Sequence, residues 1–396
     1  MPSRLHPRLL LVSAAHLTID AYSSFVTPLI PLLIVKLHLS LTQVGTLVAL
    51  SSLASSLSQP LFGWLSDRLS RPWFVAFGPL VAAVFLSSVG LAPSFGGLAA
   101  IVMLGGIGAA AFHPQAAVLA SGLSERRALA MSTFVTGGTI GFSIGPLFAA
   151  AMAGALGLER TWLGALPGLV VSAVLIAWFA RVPPAARFHR ERPAFSELRP
   201  VWRPLAMLYF AVVFRSAVSF GFMTFLPILL HRRGLSVQSG GLALSAYLGA
   251  GAVGGLLGGW IAERWGGRGV VIRSFLGALP LFVAFLLLPT GPGVVCLALG
   301  NLMLQGSLPV NVVIGQELSP RHASTISSLL MGFAWGLGVL MVGPTGALAD
   351  ARGLENALLA LTTLLGAGLL CAIALPKMGL AAAGTAAVEA AVVAEP

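Results

Sequence analysis

Gly63-Trp64-Leu65-Ser66-Asp67-Arg68 closes a long apolar run, and 196 positions later Gly259-Trp260-Ile261-Ala262-Glu263-Arg264 closes another. Each copy reads glycine, tryptophan, an aliphatic residue, a small residue, an acid and an arginine. Tryptophan followed by opposite charges is what a helix needs where it leaves lipid for water. Two copies at one offset mean that the chain is built twice. Other pairs follow at nearly the same spacing: Pro114 with Pro309, and Gly145-Pro146 with Gly343-Pro344.

Working outward from these two turns, twelve apolar runs are long enough to cross a hydrocarbon core, which takes about 20 helical residues each. They are 9–35, 43–65, 73–91, 96–121, 128–156, 161–181, 204–230, 238–262, 270–289, 293–316, 323–348 and 355–376. Only helices satisfy the backbone of an open chain in lipid. The expected fold is therefore all-α, with twelve transmembrane helices in two pseudo-symmetric bundles of six. The expected parts are an N-terminal bundle (1–181), a charged cytosolic linker (182–203), a C-terminal bundle (204–376) and a mobile cytosolic tail (377–396). The first run is too long and too polar for a cleaved signal peptide.

Composition agrees. The 396 residues are 57% hydrophobic and 9% charged, whereas soluble domains run near 25% charged. That excludes an ordinary soluble enzyme. Two cysteines in apolar runs, Cys296 and Cys371, exclude a disulfide scaffold. The net charge of +11 is scattered between the runs rather than gathered on one face, so no nucleic-acid partner is expected. With the N-terminus in the cytosol, seventeen basic residues fall on cytosolic segments and five on external ones. By the positive-inside rule both termini are cytosolic. The expected location is a bacterial cytoplasmic (inner) membrane.

Gly63-Trp-Leu-Ser-Asp67-Arg68-Leu-Ser-Arg71 resembles the G-x-L-a-D-r-x-G-r-[RK] loop of the major facilitator superfamily, with Ser70 and Pro72 as departures. The degenerate copy at 259–268 strengthens the resemblance. Within the superfamily the chain resembles the fosmidomycin-resistance efflux group. It does so through His16-x-x-x-Asp20, through Gly-Ala-Ala-Ala-Phe-His113-Pro114-Gln115, and through Leu-Pro309-Val-Asn311 with Gln316-Glu317. Helix 5 carries part of an antiporter motif in Gly141-x3-Gly145-Pro146, but Ser132, Ala149 and Ala150 replace its other glycines. Many drug/proton antiporters carry an arginine early in helix 4; Val102 stands at that place here. The resemblance implies that Asp67, Arg68, Arg71, Glu263 and Arg264 form a cytosolic latch. Positive-inside anchoring is the alternative for the bases.

A charge in the bilayer core costs roughly 2.5–3.5 kcal/mol on insertion scales, so it needs a reason. Asp20 and Arg215 are the two charged residues deep in a span, one repeat apart, in helices 1 and 7. Either they pair and lock the helices, or they meet protons and substrate. Proton coupling is expected at Asp20, His113 and His16. An ordinary pKa near 6.5 suits histidine to that task, and a satisfied packing histidine is the plainer reading of each. Substrate contacts are expected from Arg215, Asp20, Gln115, Asn301, Gln305 and Asn311, with interhelical hydrogen bonding the alternative for the amides. Phe112, Phe220, Phe222 and Trp335 are candidates for an apolar pocket wall.

The expected function is a proton-coupled exporter of a small drug or metabolite, fosmidomycin-like, working by alternating access. An importer of a sugar, organic acid or other metabolite is the alternative. A chain of this kind is not expected to be an enzyme and needs no cofactor or metal. Its expected partners are a small-molecule substrate, protons and the lipid bilayer, and it is expected to act as a monomer.

Overall fold

A computed structural model describes residues 7–66, 72–123, 127–181, 199–319, 326 and 329–376. The charged segment 182–198, the tail 377–396 and the loop residues Asp67, Arg68 and Arg71 lie outside these, as do the side chains of Arg127 and Glu263. Among the described residues, twelve helices follow in chain order. The first six are α1 (Pro7–Leu37), α2 (Leu41–Ser66), α3 (Trp73–Leu91), α4 (Phe95–Gly122), α5 (Arg127–Leu156) and α6 (Leu158–Phe179). The second six are α7 (Trp202–Arg232), α8 (Val237–Trp265), α9 (Gly267–Leu287), α10 (Thr290–Leu318), α11 (Leu329–Arg352) and α12 (Leu354–Ala374). Among the described residues, eleven helices are long and apolar enough to span a membrane, and Leu41–Ser55 of α2 is a shorter apolar stretch. These positions match the twelve apolar runs. Large apolar side chains point outward, with Leu256 72%, Leu287 75% and Leu370 69% exposed, which suits lipid and not water.

The chain divides into two compact units: Met1–Arg190 with Gly221–Gly249 and Val342–Ala357, and the remainder from Glu191. The first unit thus takes in the adjoining ends of α7, α8, α11 and α12.

Inside each unit the helices meet where glycine removes the side chain. Lipid tails are as apolar as leucine, so close backbone approach supplies the association that burial supplies in water. A Cβ at Gly141 of α5 would strike the carbonyl of Leu17 in α1. A Cβ at Gly338 of α11 would come within 2.6 Å of Ser216 and 2.9 Å of the Val213 carbonyl in α7. The same holds for Gly168 of α6 against Ala83 of α3, and for Gly368 of α12 against Phe275 of α9. The internal repeat is therefore a repeat of helix seams.

Proline and polar caps shape the helix ends. α1 tightens to 3-10 geometry over Thr27–Leu29, where Pro28 and Pro31 cannot donate to the helical ladder. The N-terminus of α2 is capped from another helix: the Asp350 carboxylate accepts from Leu41 N (2.9 Å), Thr42 N (2.8 Å) and Thr42 Oγ1 (2.6 Å). A carboxylate at the positive end of a helix dipole is stabilised there. α11 runs to Arg352, four residues beyond the end expected from sequence, and this stretch carries Asp350. At the same end Lys36 Nζ donates to the Gly90 carbonyl (2.6 Å) and meets Glu159 (3.3 Å). Arginine–tryptophan pairs mark other helix ends in each unit: Arg8 over Trp178 in the first, and Arg203 over Trp202 and Arg264 over Trp260 in the second, the last at 3.9 Å.

If the seams depend on absent side chains, Gly141→Val lowers the melting temperature of the purified protein in detergent sharply, since overpacking costs about 1–3 kcal/mol. Gly249→Ala, where nothing lies within 4 Å of the added carbon, leaves it unchanged or raises it. Equal melting of the two variants would contradict this account of packing.

Candidate functional site

The α1–α5 seam places a carboxylate beneath two imidazoles. His16 and Asp20 stand one helical turn apart on α1, so their side chains share a face. His16 Nε2 lies 3.2 Å from Asp20 Oδ2. From α4, His113 Nε2 lies 3.5 Å from the other oxygen, Oδ1. The side chains of His16, Asp20 and His113 are 10%, 18% and 29% exposed, so the cluster is enclosed without being sealed. Gly138 of α5 is its floor: a Cβ there would sit 2.5 Å from His16 Nε2 and 2.6 Å from Asp20 Oδ2.

Hydrogen-bond directions fix where protons sit. His16 Nδ1 is 2.8 Å from the Phe134 carbonyl of α5. A carbonyl oxygen only accepts, so Nδ1 carries hydrogen. The Nε2 atom is left to face Asp20 Oδ2. The Phe134 ring stacks on His16 at 4.0 Å, and the His113 ring meets it edge-on at 5.2 Å. The three groups form a compact polar cluster.

The second unit holds a different site. Arg215 of α7 is 2% exposed. Its Nη1 donates to Gln305 Oε1 of α10 (2.5 Å), its Nη2 donates to Ser216 Oγ (3.2 Å), and its Cζ lies 5.6 Å from the centre of the Trp335 ring. Phe220 meets the same ring edge-on at 6.1 Å. Arg215, Asn311 and Trp335 line one small cavity with Val212, Leu308 and Leu330. Asn311 is 1% exposed, and neither Oδ1 nor Nδ2 has a hydrogen-bond partner among the described residues. An unpaired buried amide costs about 1–3 kcal/mol. The first turn of α11, Leu329–Phe333, is π-helical, and such wide turns gather at functional sites.

The structure thus brings His16, Asp20 and His113 together, and separately Arg215, Gln305 and Asn311. Gln115 serves elsewhere: its Oε1 accepts from Phe74 N (2.9 Å) and Val75 N (3.3 Å), capping the start of α3. Asn301 is fully buried against Gly251 of α8. Phe112 and Phe222 are buried in packing, and Phe220 and Trp335 stand at the arginine. Of the expected latch residues, Arg264 is described and lies over Trp260. Phe134 and Gly138 were not singled out from sequence as site residues. A glycine beneath a polar cluster reads in sequence like any packing glycine, and a backbone carbonyl leaves no signal.

Each unit, among the described residues, is a set of apolar helices packed around a buried polar cluster. The chain matches the Major Facilitator Superfamily over residues 12–343, and it belongs to that family. It is 32% identical to the "Fosmidomycin resistance protein" of Escherichia coli (strain K12) over 360 residues, 87% of this chain and 86% of that one. It is 30% identical to the uncharacterized MFS-type transporter YfnC of Bacillus subtilis (strain 168), over 91% of this chain and 90% of that one. In fold it resembles a bacterial homologue of the human lysosomal transporter Spinster, in an inward-facing and occupied conformation. That likeness has a TM-score of 0.79 and 19% identity, over 92% of this chain and 95% of the other.

Gly138→Ala tests the floor of the cluster. The added carbon displaces the His16 ring, so the ¹⁵N resonances of His16 in histidine-labelled protein shift. Unchanged His16 resonances in a folded variant would show that the cluster does not rest on Gly138.

Proposed function

We propose that this chain is a proton-coupled exporter of a small anionic drug or metabolite, fosmidomycin-like in class, working by alternating access. The observation that carries the reading is the Asp20 carboxylate set between His16 and His113. A transporter driven by protons needs a buried group that binds and releases one within its working range, and imidazole beside carboxylate is such a group. The 32% identical relative named for fosmidomycin resistance supports export and drug resistance.

Arg215 supports an anion. A guanidinium presents paired donors that fit the oxygens of a carboxylate or phosphonate. Gln305 and Ser216 hold it in place, Trp335 faces it, and Asn311 offers an unpaired donor and acceptor nearby. Protons and substrate act on opposite charges: a proton neutralises Asp20, and an anion neutralises Arg215. The reading carries with it antiport across a bacterial inner membrane, with both termini cytosolic, as the skew of basic residues suggests. The family resemblance assigns a cytosolic latch to Asp67, Arg68, Arg71, Glu263 and Arg264.

Two variants test this. In proteoliposomes with an imposed pH gradient, Asp20→Asn abolishes proton-driven transport; full activity in that variant would remove the proton role. Arg215→Ala weakens anionic substrates by roughly 10–100-fold, as the loss of charge-assisted hydrogen bonds implies, and affects neutral ones little. Equal loss for both classes would make Arg215 a structural residue.

A further inference from the structure

We infer that His16, Asp20 and His113 also form a binding site for a late first-row divalent metal ion, with Zn²⁺ as the representative. The inference rests on the same three side chains as the proton reading, but on their ligand geometry and not on their titration.

The donor atoms face one another. One ring nitrogen each of His16 and His113 and a carboxylate oxygen of Asp20 all lie within 4.8 Å of one another. Zinc bonds to imidazole nitrogen and carboxylate oxygen are about 2.0–2.2 Å, so neighbouring ligands of a tetrahedral ion stand roughly 3.3 Å apart. The two nitrogen-to-oxygen separations, 3.2 Å from His16 to Oδ2 and 3.5 Å from His113 to Oδ1, are each of that length, to the two oxygens of one carboxylate. An ion seated here takes both oxygens, or turns one of them between the two imidazoles, and draws the nitrogens together; the His113 side chain is 29% exposed.

The orientation of His16 is also that of a metal ligand. Ligating histidines donate their second ring N–H to a carbonyl or carboxylate, which fixes the ring and turns the other lone pair to the metal. The bond of His16 Nδ1 to the Phe134 carbonyl does this, leaving Nε2 for the metal. His16 and Asp20 stand at i, i+4 on one helix, a spacing at which two side chains can chelate one ion. Gly138 clears the space beneath them. Two imidazoles and one carboxylate favour zinc, nickel, cobalt or copper over magnesium and calcium. Three protein ligands leave a fourth position open to water or to an oxygen of an anionic solute. Metal and proton compete here, because each takes the same lone pairs. Binding therefore arrests any transport that uses the cluster for protons.

The test is calorimetric titration of Zn²⁺ into full-length protein purified in detergent through a tag free of histidine. The expected result is one Zn²⁺ per chain, with thermal stabilisation on binding. His16→Ala and His113→Ala each weaken that affinity by on the order of 100-fold or more, since even outer-shell changes at such sites cost 10–100-fold. His113→Gln keeps a polar group of similar reach, so its loss of Zn²⁺ with retained melting temperature separates ligation from folding. Absence of one-to-one binding, or unchanged affinity in the His16→Ala, His113→Ala double variant, would overturn the inference. The proton reading is judged separately: proton-driven transport that is lost in Asp20→Asn stands even if Zn²⁺ does not bind.

Discussion

A carboxylate in an apolar helical bundle must be met by hydrogen-bond donors, and this chain meets Asp20 with two imidazoles brought from different helices. Much of the first unit follows from that need. α1 and α4 must both reach the same point, and α5 must approach closely enough to give His16 a carbonyl. Closeness of that order is possible only where α5 has no side chain. Gly138 and Gly141 are thus as much a part of the polar site as the residues that carry its charge.

The second unit solves the opposite problem with the same scaffold. Arg215 stands one repeat after Asp20, beside the seam that Gly338 opens between α7 and α11, as Asp20 stands beside the seam that Gly138 opens between α1 and α5. A guanidinium cannot lose its proton in a protein, so the unit surrounds it with an amide, a hydroxyl and an indole face. The repeat kept the packing and let the chemistry diverge. One half holds a carboxylate between two imidazoles, whereas the other holds a permanent positive charge.

The fold was largely legible in the chain because lipid leaves few options: long apolar runs become helices, and matched turns reveal duplication. The site was legible in part. His16 and Asp20 share a helical face at i, i+4, so their contact could be read directly, and the depth of Arg215 could be counted from its helix end. The meeting of His113 with Asp20 could not, because 93 positions separate them and only the packing of α4 on α1 joins them. That is also why no metal-ligand spacing was visible in the chain. Gln115 shows the opposite limit. A buried glutamine near a histidine invites a binding role, yet two backbone N–H groups at the start of α3 claim its oxygen. Backbone donors have no sequence signature, and the same blind spot hid the tie between Asp350 and α2.

That tie has a consequence for how one end of the molecule can move. Asp350 accepts three hydrogen bonds from two consecutive residues at the first turn of α2. The field of a helix terminus fades within about one turn, and hydrogen bonds weaken steeply with distance and angle. The three contacts therefore have no partly open form: a separation of a few ångströms loses them together, and water then takes both the carboxylate and the exposed amides. A clasp of that kind gives the end two discrete states with a sharp threshold between them, where a surface of many loose contacts would yield by degrees.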